Sequence, residues 1–443
     1  MSSDLEPAGA GSPDKSPASR TEAAQASIAT AERTGSGGPE SFGRTFWANV
    51  WSANPVTVTV CAFILAMAIG GLLVIISDPE VRATFGYFFA APLDALSASW
   101  AAVNEAYANL LKGSIVDPEA IRGAINGENT WALVFYPISE TLTYAAPLIF
   151  TGLSVALAFR GGLFNIGAQG QAIMGAVGAG VLAFGLTMPV GLHLLVALIG
   201  GLVGGAIWGL VPGALKARTG AHEVITTIML NYVALYFLGW LIIQNGVRDP
   251  GRSDAISKRV EDTAALPHLA GASLRVNAGI LLALAACAGM AWLLGRSTLG
   301  FEIRAVGSNP DAARTAGMSV SKTYTLAMGL AGALAGLGGA SVLLGTAGAL
   351  TGSVAGNIGF DGITVALLGR ARPWGVALAG LLFGAFKAGA NRMQSFANIP
   401  LDMVDLLQAL IVLFIAAPAL VKTVFRLRAA RSGRLEANLA RGW

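Results

Sequence analysis

The chain has 443 residues, 54% of them hydrophobic and only 12% charged, with a mean hydropathy of +0.63 and a formal charge of +4. Soluble domains carry about 25% charged residues, so this composition excludes an ordinary soluble enzyme or nucleic-acid-binding domain and points to a chain that lives mostly in a bilayer. The two cysteines, Cys61 and Cys287, lie in apolar runs, form no metal spacing or disulfide framework, and read as packing residues.

In chain order, residues 1–45 come first, rich in Ser, Ala, Pro, Gly and Glu. They hold almost nothing to bury and read as a disordered cytoplasmic tail, with no apolar stretch of the signal-peptide kind. Residues 46–425 read as the membrane domain. A membrane helix needs roughly 20 apolar residues, and about ten such runs occur. They cover 54–77, 131–159, 163–186, 189–215, 224–244, 278–294, 324–346, 358–368, 375–389 and 403–425. The eighth and ninth are short and also read as one helix broken at 369–373. The basic tail 426–443 suits an anionic inner leaflet better than nucleic acid. The fold expected is therefore an all-α polytopic membrane protein. With ten spans and the N-terminus inside, most of the 29 Lys and Arg fall on inside segments. That bias places both termini in the cytoplasm.

Two long segments fall outside, 78–130 and 245–277. The first mixes aromatic and polar residues and predicts interfacial or surface helices. The second is polar and charged, and reads either as a docking place for an external partner or as plain connection. The inside loop 296–322 predicts a short helix. Ser308 or Asn309 caps it, Pro310 and Asp311 begin it, Ala312, Ala313 and Ala316 give it a small face beside Arg314, and Gly317 ends it. Glycines four apart on several spans (Gly201, Gly205 and Gly209; Gly332 and Gly336; Gly380 and Gly384) predict close helix packing in lipid. No lysine follows a glycine, so no Walker A phosphate loop exists. If transport is ATP-driven, the ATPase is another chain.

The most informative stretch is 161–171, GGLFNIGAQGQ, which sets Asn165, Gln169, Gln171 and four glycines at membrane depth. Lipid satisfies neither a loosened backbone nor an amide, so such a segment faces protein or a water-filled path. Transporters place substrate sites at discontinuous helices of this kind. The three amides either contact substrate or tie down the broken backbone. Glu140 sits within the second span, where a buried acid is costly and is paired or near a wet cavity. Asn231 shares a helix with Glu223 and is the better pathway candidate, whereas Glu223 lies near the inner mouth with Arg218 as partner. Asp361 lines the lumen or caps its helix. Lys387 and Asn391, at i and i+4, share a face, and Lys387 either contacts substrate from outside or snorkels. His193 reads as a packing or interfacial residue. None of these forms a catalytic or metal-binding constellation.

Three segments together carry a resemblance: GLFNIGAQGQ at 162–171, HEVITTIMLNYVA at 222–234, and the cytoplasmic loop with its following Gly/Ala-rich helix at 300–340. GFDGITVALLGR at 359–370 adds to them. Over about 131–425 the chain resembles the permease subunits of bacterial ABC importers, in the superfamily handling ribose-type sugars, branched-chain amino acids and nucleosides. The first two motifs look like the nucleoside and simple-sugar branch, although His222 stands where that branch has Asn. The resemblance implies a type II importer permease in the cell membrane. It also implies a second, related permease as heterodimer partner, a cytoplasmic ATPase that carries ATP and Mg, and an external substrate-binding protein. This chain would bind no cofactor of its own. The helix over 308–317 would be the coupling helix set into the ATPase, and the cargo a nucleoside, with purine nucleosides preferred and a ribose-type sugar as the alternative. An ion-coupled secondary transporter is a further reading, for which Glu140 and Asp361 would be the membrane carboxylates. An intramembrane enzyme has no Ser/His dyad, HExxH or paired-Asp motif to support it.

Overall fold

A computed structural model describes residues 55–397 and 399–426. The tail expected over 1–45 and, but for Arg426, the basic tail over 426–443 lie outside the described residues, as do both termini. Every element used below belongs, wholly or in its larger part, to one compact unit, Cys61–Val421. Among the described residues the regular structure is helical, and β-pairing is limited to isolated bridges.

The chain opens with α1 (Pro55–Ser77) and then three helices outside the expected spans, α2 (Pro79–Phe85), α3 (Pro92–Ser114) and α4 (Pro118–Ile125). Each of these three starts on a proline, whose missing N–H is harmless in a first turn. Asp78 and Asp117 cap α2 and α4 with their carboxylates. Then come α5 (Trp131–Arg160), α6 (Ala168–Gly185), α7 (Leu192–Thr219) and α8 (Glu223–Leu241). After a long connecting segment follow α9 (Gly279–Arg296), α10 (Thr298–Ser308), α11 (Pro310–Thr315) and α12 (Val320–Val342), the last continuing into a π-turn at Leu343–Ala347. The chain closes with α13 (Ile358–Leu368), α14 (Pro373–Ala397), α15 (Leu401–Ala416) and α16 (Pro418–Val424).

Seven of these helices are long and apolar enough to cross a membrane, or eight if α15 and α16, bent by 89°, form one span. The ten expected spans are corrected at two places. α6 starts only at Ala168, because the polar, glycine-rich residues before it are not helical. α13 has 11 residues, roughly 16 Å at 1.5 Å per residue, about half of a 30 Å hydrocarbon core. It is not one broken helix with α14. The chain reverses at Gly369–Arg372, with Arg370 and Ala371 at φ 54° and 48°. Gly369 packs against Gly375, and Asp361 pairs with Lys387, so α13 and α14 lie antiparallel.

α5 is the central helix, with 83% of its most apolar window buried. The predicted glycine faces are where backbones meet. A Cβ on Gly205 would lie 2.2 Å from the Gly332 carbonyl, and one on Gly336 would lie 2.3 Å from that of Gly201. These approaches lock α7 to α12, and Gly175 brings α6 onto the same seam. Gly380 and Gly384 seat α14 on Ile149 and Ala145 of α5. α3 is more than a surface helix. Gly389 of α14 abuts the Leu110 carbonyl, and the Tyr107 hydroxyl donates to the Met67 carbonyl of α1 at 2.5 Å. By contrast α7 and α8 turn Leu195, Ile199, Met229, Tyr232, Tyr236 and Trp240 outward, the surface a bilayer or a neighbouring membrane subunit would cover.

Candidate functional site

The break before α6 is held by the amides that make its sequence unusual. Asn165 and Gln171, both 1% exposed, bond reciprocally: Asn165 Nδ2 donates to Gln171 Oε1 at 2.9 Å and Gln171 Nε2 donates to Asn165 Oδ1 at 3.2 Å. Asn165 Oδ1 also accepts from the Gly167 N–H at 3.1 Å. Gln169 clamps the turn before α13, donating to the Gly356 carbonyl and accepting from the Gly359 N–H at 2.9 Å. Asn231 on α8 does the same to α6, accepting from the Gly170 N–H at 2.8 Å and donating to the Ile166 carbonyl at 2.9 Å. An N–H left bare in this setting would cost about 1–3 kcal/mol. Of the two roles open to these amides, tying down the backbone is the one their bonds support. None of Asn165, Gln169, Gln171 and Asn231 lines the cavity described next.

That cavity, about 290 Å³, lies between α5, the end of α12 with its π-turn, α13 and α14. Its polar lining comes from Thr143, Tyr144, Asn277, Ser341, Thr346, Ser353 and Asn357, and its charged lining from Arg275, Asp361 and Lys387. The other four predicted residues converge here. Asp361 and Lys387 pair at 3.1 Å, and Lys387 also reaches Asp405 of α15 at 3.1 Å. Glu140, 6% exposed, stands behind the lining and receives Arg275 at 3.1 Å. Burial works against the Arg275 charge, but the Glu140 carboxylate and the Tyr144 and Tyr136 phenols outweigh it and hold its pKa above the usual arginine value. Asn391 donates to the Tyr144 hydroxyl at 3.0 Å, so it positions a lining residue.

Sequence reasoning missed Arg275, Tyr144 and Asn277. The one available signal was the buried Glu140, which requires a cation; the charged segment before α9 was the place to look. That segment is tied to α5 and to the π-turn after α12. Val276 N–H donates to Ser139 Oγ at 2.8 Å, Leu266 N–H to the Leu344 carbonyl at 2.9 Å, and Asn277 Nδ2 to the Gly345 carbonyl at 3.3 Å. His193, fully buried, bonds Thr263 Oγ1 at 2.7 Å and the Leu182 carbonyl at 3.2 Å, in keeping with a packing role. Glu223 pairs with Lys216 at 2.9 Å. Lys216, two residues earlier on α7, takes the place of the expected partner, Arg218.

On the opposite side, Asn309 caps α11 as predicted, accepting from the Asp311 and Ala312 N–H groups at 3.0 Å each. Gly317, at φ 84°, follows its end. Asp311 and Arg314 form an exposed pair at 3.0 Å. Ala313 is buried, whereas Ala312, Ala316 and Gly317 face outward. The preceding α10 was not foreseen. Its Gly307 lies against Arg160 and Gly162, where a Cβ would meet the Arg160 carbonyl at 2.2 Å. Arg160 Nε in turn donates to the Ala371 carbonyl at 2.9 Å. The loop that projects from the membrane domain thus rests directly on the end of α5 and the start of the broken segment.

Residues 138–416, which include the cavity, the clamp and this loop, match the family described as branched-chain amino acid transport system / permease component. The chain belongs to that family. The permease is 40% identical over 295 residues to the guanosine ABC transporter permease protein NupP of Bacillus subtilis, covering 65% of this chain and 83% of that one. It is likewise 40% identical over 298 residues to the nucleoside ABC transporter permease protein NupB of Lactococcus lactis, covering 65% and 81%. A glucose ABC transporter permease protein of Haloferax volcanii is 35% identical over 290 residues, covering 63% and 76%. No solved structure gives a significant match. The permease is therefore a multi-pass plasma-membrane transport protein rather than an enzyme.

Proposed function

We propose that this permease carries nucleosides, purine nucleosides foremost, into the cell as one membrane subunit of an ATP-driven importer. The observation that carries the reading is the 40% identity to two permeases named for guanosine and nucleoside transport. The cavity agrees with it. Its size is at the low end of small-molecule sites, about 300 Å³ upward, and it offers hydroxyls, amides and one tyrosine ring. Its two cations each already hold a carboxylate, which suits a polar, uncharged cargo.

In this reading the outer cavity receives cargo from an external substrate-binding protein, and the exposed α7–α8 face meets lipid and a second, related permease. The loop 296–322 couples to a cytoplasmic ATPase, which binds ATP and Mg. Ser308, Asn309, Pro310, Asp311, Ala312, Ala313, Arg314 and Gly317 form the coupling element. ATP-driven closure of the ATPase pair moves α11 and, through Gly307, the end of α5.

The test is uptake of labelled guanosine and of ribose and glucose in cells with and without this gene. It is repeated without the ATPase gene. Nucleoside uptake lost in both deletions is the expected result. A simple-sugar cargo is the second reading, favoured by the glucose permease at 35% identity; sugar uptake lost while nucleoside uptake stays would establish it. Uptake that survives loss of the ATPase but collapses with an ionophore would instead require ion coupling.

A further inference from the structure

Resting on the nucleoside reading above, we propose that Asp361 reads the ribose ring, its carboxylate accepting hydrogen bonds from the 2′- and 3′-hydroxyls of the cargo, so that the permease itself distinguishes ribonucleosides from deoxyribonucleosides. Three observations lead there. Asp361 is the acid in the cavity lining, at the start of the short α13. Lys387 takes Oδ2 at 3.1 Å, and among the described residues no protein donor reaches Oδ1. A carboxylate has room for about four hydrogen bonds, so this lining group keeps acceptor capacity beyond its bond to Lys387. Vicinal hydroxyls match two adjacent carboxylate lone pairs, as they do where an acidic side chain holds a ribose in dinucleotide sites.

The surrounding charges explain why a sugar diol suits this group better than a phosphate. Lys387 is shared between Asp361 and Asp405, and Arg275 is held by Glu140. A phosphate entering the cavity would meet an acid and two cations that are already partnered. A neutral diol meets the acceptor and has no charge to compensate. Gln169 fixes the turn carrying α13 through Gly356 and Gly359, so the carboxylate is positioned before cargo arrives.

The test uses the complete importer in proteoliposomes, with the binding protein loaded to saturation by guanosine, 2′-deoxyguanosine or 3′-deoxyguanosine in turn. The parent should import guanosine at least about tenfold faster than either deoxynucleoside, the scale expected when a buried acceptor loses its donor. Asp361→Ala should bring the three rates within about twofold of one another by slowing guanosine alone. Lys387 keeps Asp405 in that variant, so no lone charge is created. Asp361→Asn serves if the alanine variant does not reach the membrane, and a smaller loss of preference is expected from it. Equal slowing of all three would make the ion pair merely structural and overturn the proposal. An unchanged preference in the variant would assign it to the binding protein, with the same effect. A parent without preference overturns the proposal while leaving nucleoside transport intact. A parent that imports none of the three overturns both.

Discussion

Glu140 on α5 and Arg275, 135 residues later in the chain, meet through a guanidinium N–H donated at 3.1 Å to the Glu140 Oε2. The acid is buried and the arginine 45% exposed, so each depends on the other unequally. Removing the arginine strands a carboxylate in an apolar bundle. Removing the acid leaves a cation that can reach water. Arg275→Met is therefore expected to destabilise the permease by about 2 kcal/mol, below the range for a fully buried pair because one partner is half in solvent. Glu140→Gln should cost less, and the double variant should recover most of the loss. Thermal unfolding in detergent measures all three, and strictly additive losses would argue against the pairing.

Asn231→Ala removes the bonds to the Gly170 N–H and the Ile166 carbonyl. The expected cost is about 1–3 kcal/mol for each buried group left bare. Because Asn231 does not line the cavity, apparent substrate affinity should hold while the transported rate falls with protein level. A changed KM at unchanged stability would return Asn231 to the pathway.

Gly336→Leu should abolish assembly of the bundle. The Gly201 carbonyl and the Gly205 backbone occupy the space that any side chain would need. Backbones in contact cannot yield as flexible side chains do, so the effect should exceed about 3 kcal/mol. Expression in the membrane, followed by limited proteolysis, would show it; a stable, protease-resistant variant would contradict the packing argument.

Gly307→Val sets α10 away from Arg160 and Gly162. If the loop carries the ATPase's movement to α5, ATP hydrolysis should continue while nucleoside uptake drops by about tenfold or more, because transmission needs this contact. Arg314→Ala is the contrasting case. Its pair with Asp311 is exposed, so stability should change by about 0.5 kcal/mol or less, and any loss of transport would report on contact with the ATPase. Parallel loss of hydrolysis and uptake in Gly307→Val would point to failed docking instead.

Composition and apolar runs were enough to read the helical membrane class, and glycine spacing was enough to read the α7–α12 seam. Both are local or periodic properties of the chain. The cap at Asn309 was legible for the same reason, since it acts within three residues. What escaped depends on partners far apart in sequence. Nothing near Gln169 indicates Gly356, and nothing near Glu140 indicates Arg275. The amides at 165–171 drew attention to the segment but left its task open, because an amide that satisfies backbone and one that meets cargo have the same composition. α10 was missed although Leu299, Ile303 and Val306 recur at helical spacing, because two glycines and two charged residues interrupt so short a run. α13 was read correctly as short, yet its reversal onto α14 came from left-handed residues, Arg370 and Ala371, that sequence does not favour there.

Arg160 gives this arrangement a mechanical meaning. Its carbonyl abuts Gly307 and its guanidinium grips the Ala371 carbonyl, so one residue fastens the adjoining ends of α5, α10 and the α13–α14 turn together. The far parts of α5 and α13 carry Thr143, Tyr144 and Asp361 in the lining of the cavity. A push delivered at that single rivet would not tilt one wall alone. It would work both blades of a pair of tongs from the handle, opening or closing the chamber in one stroke.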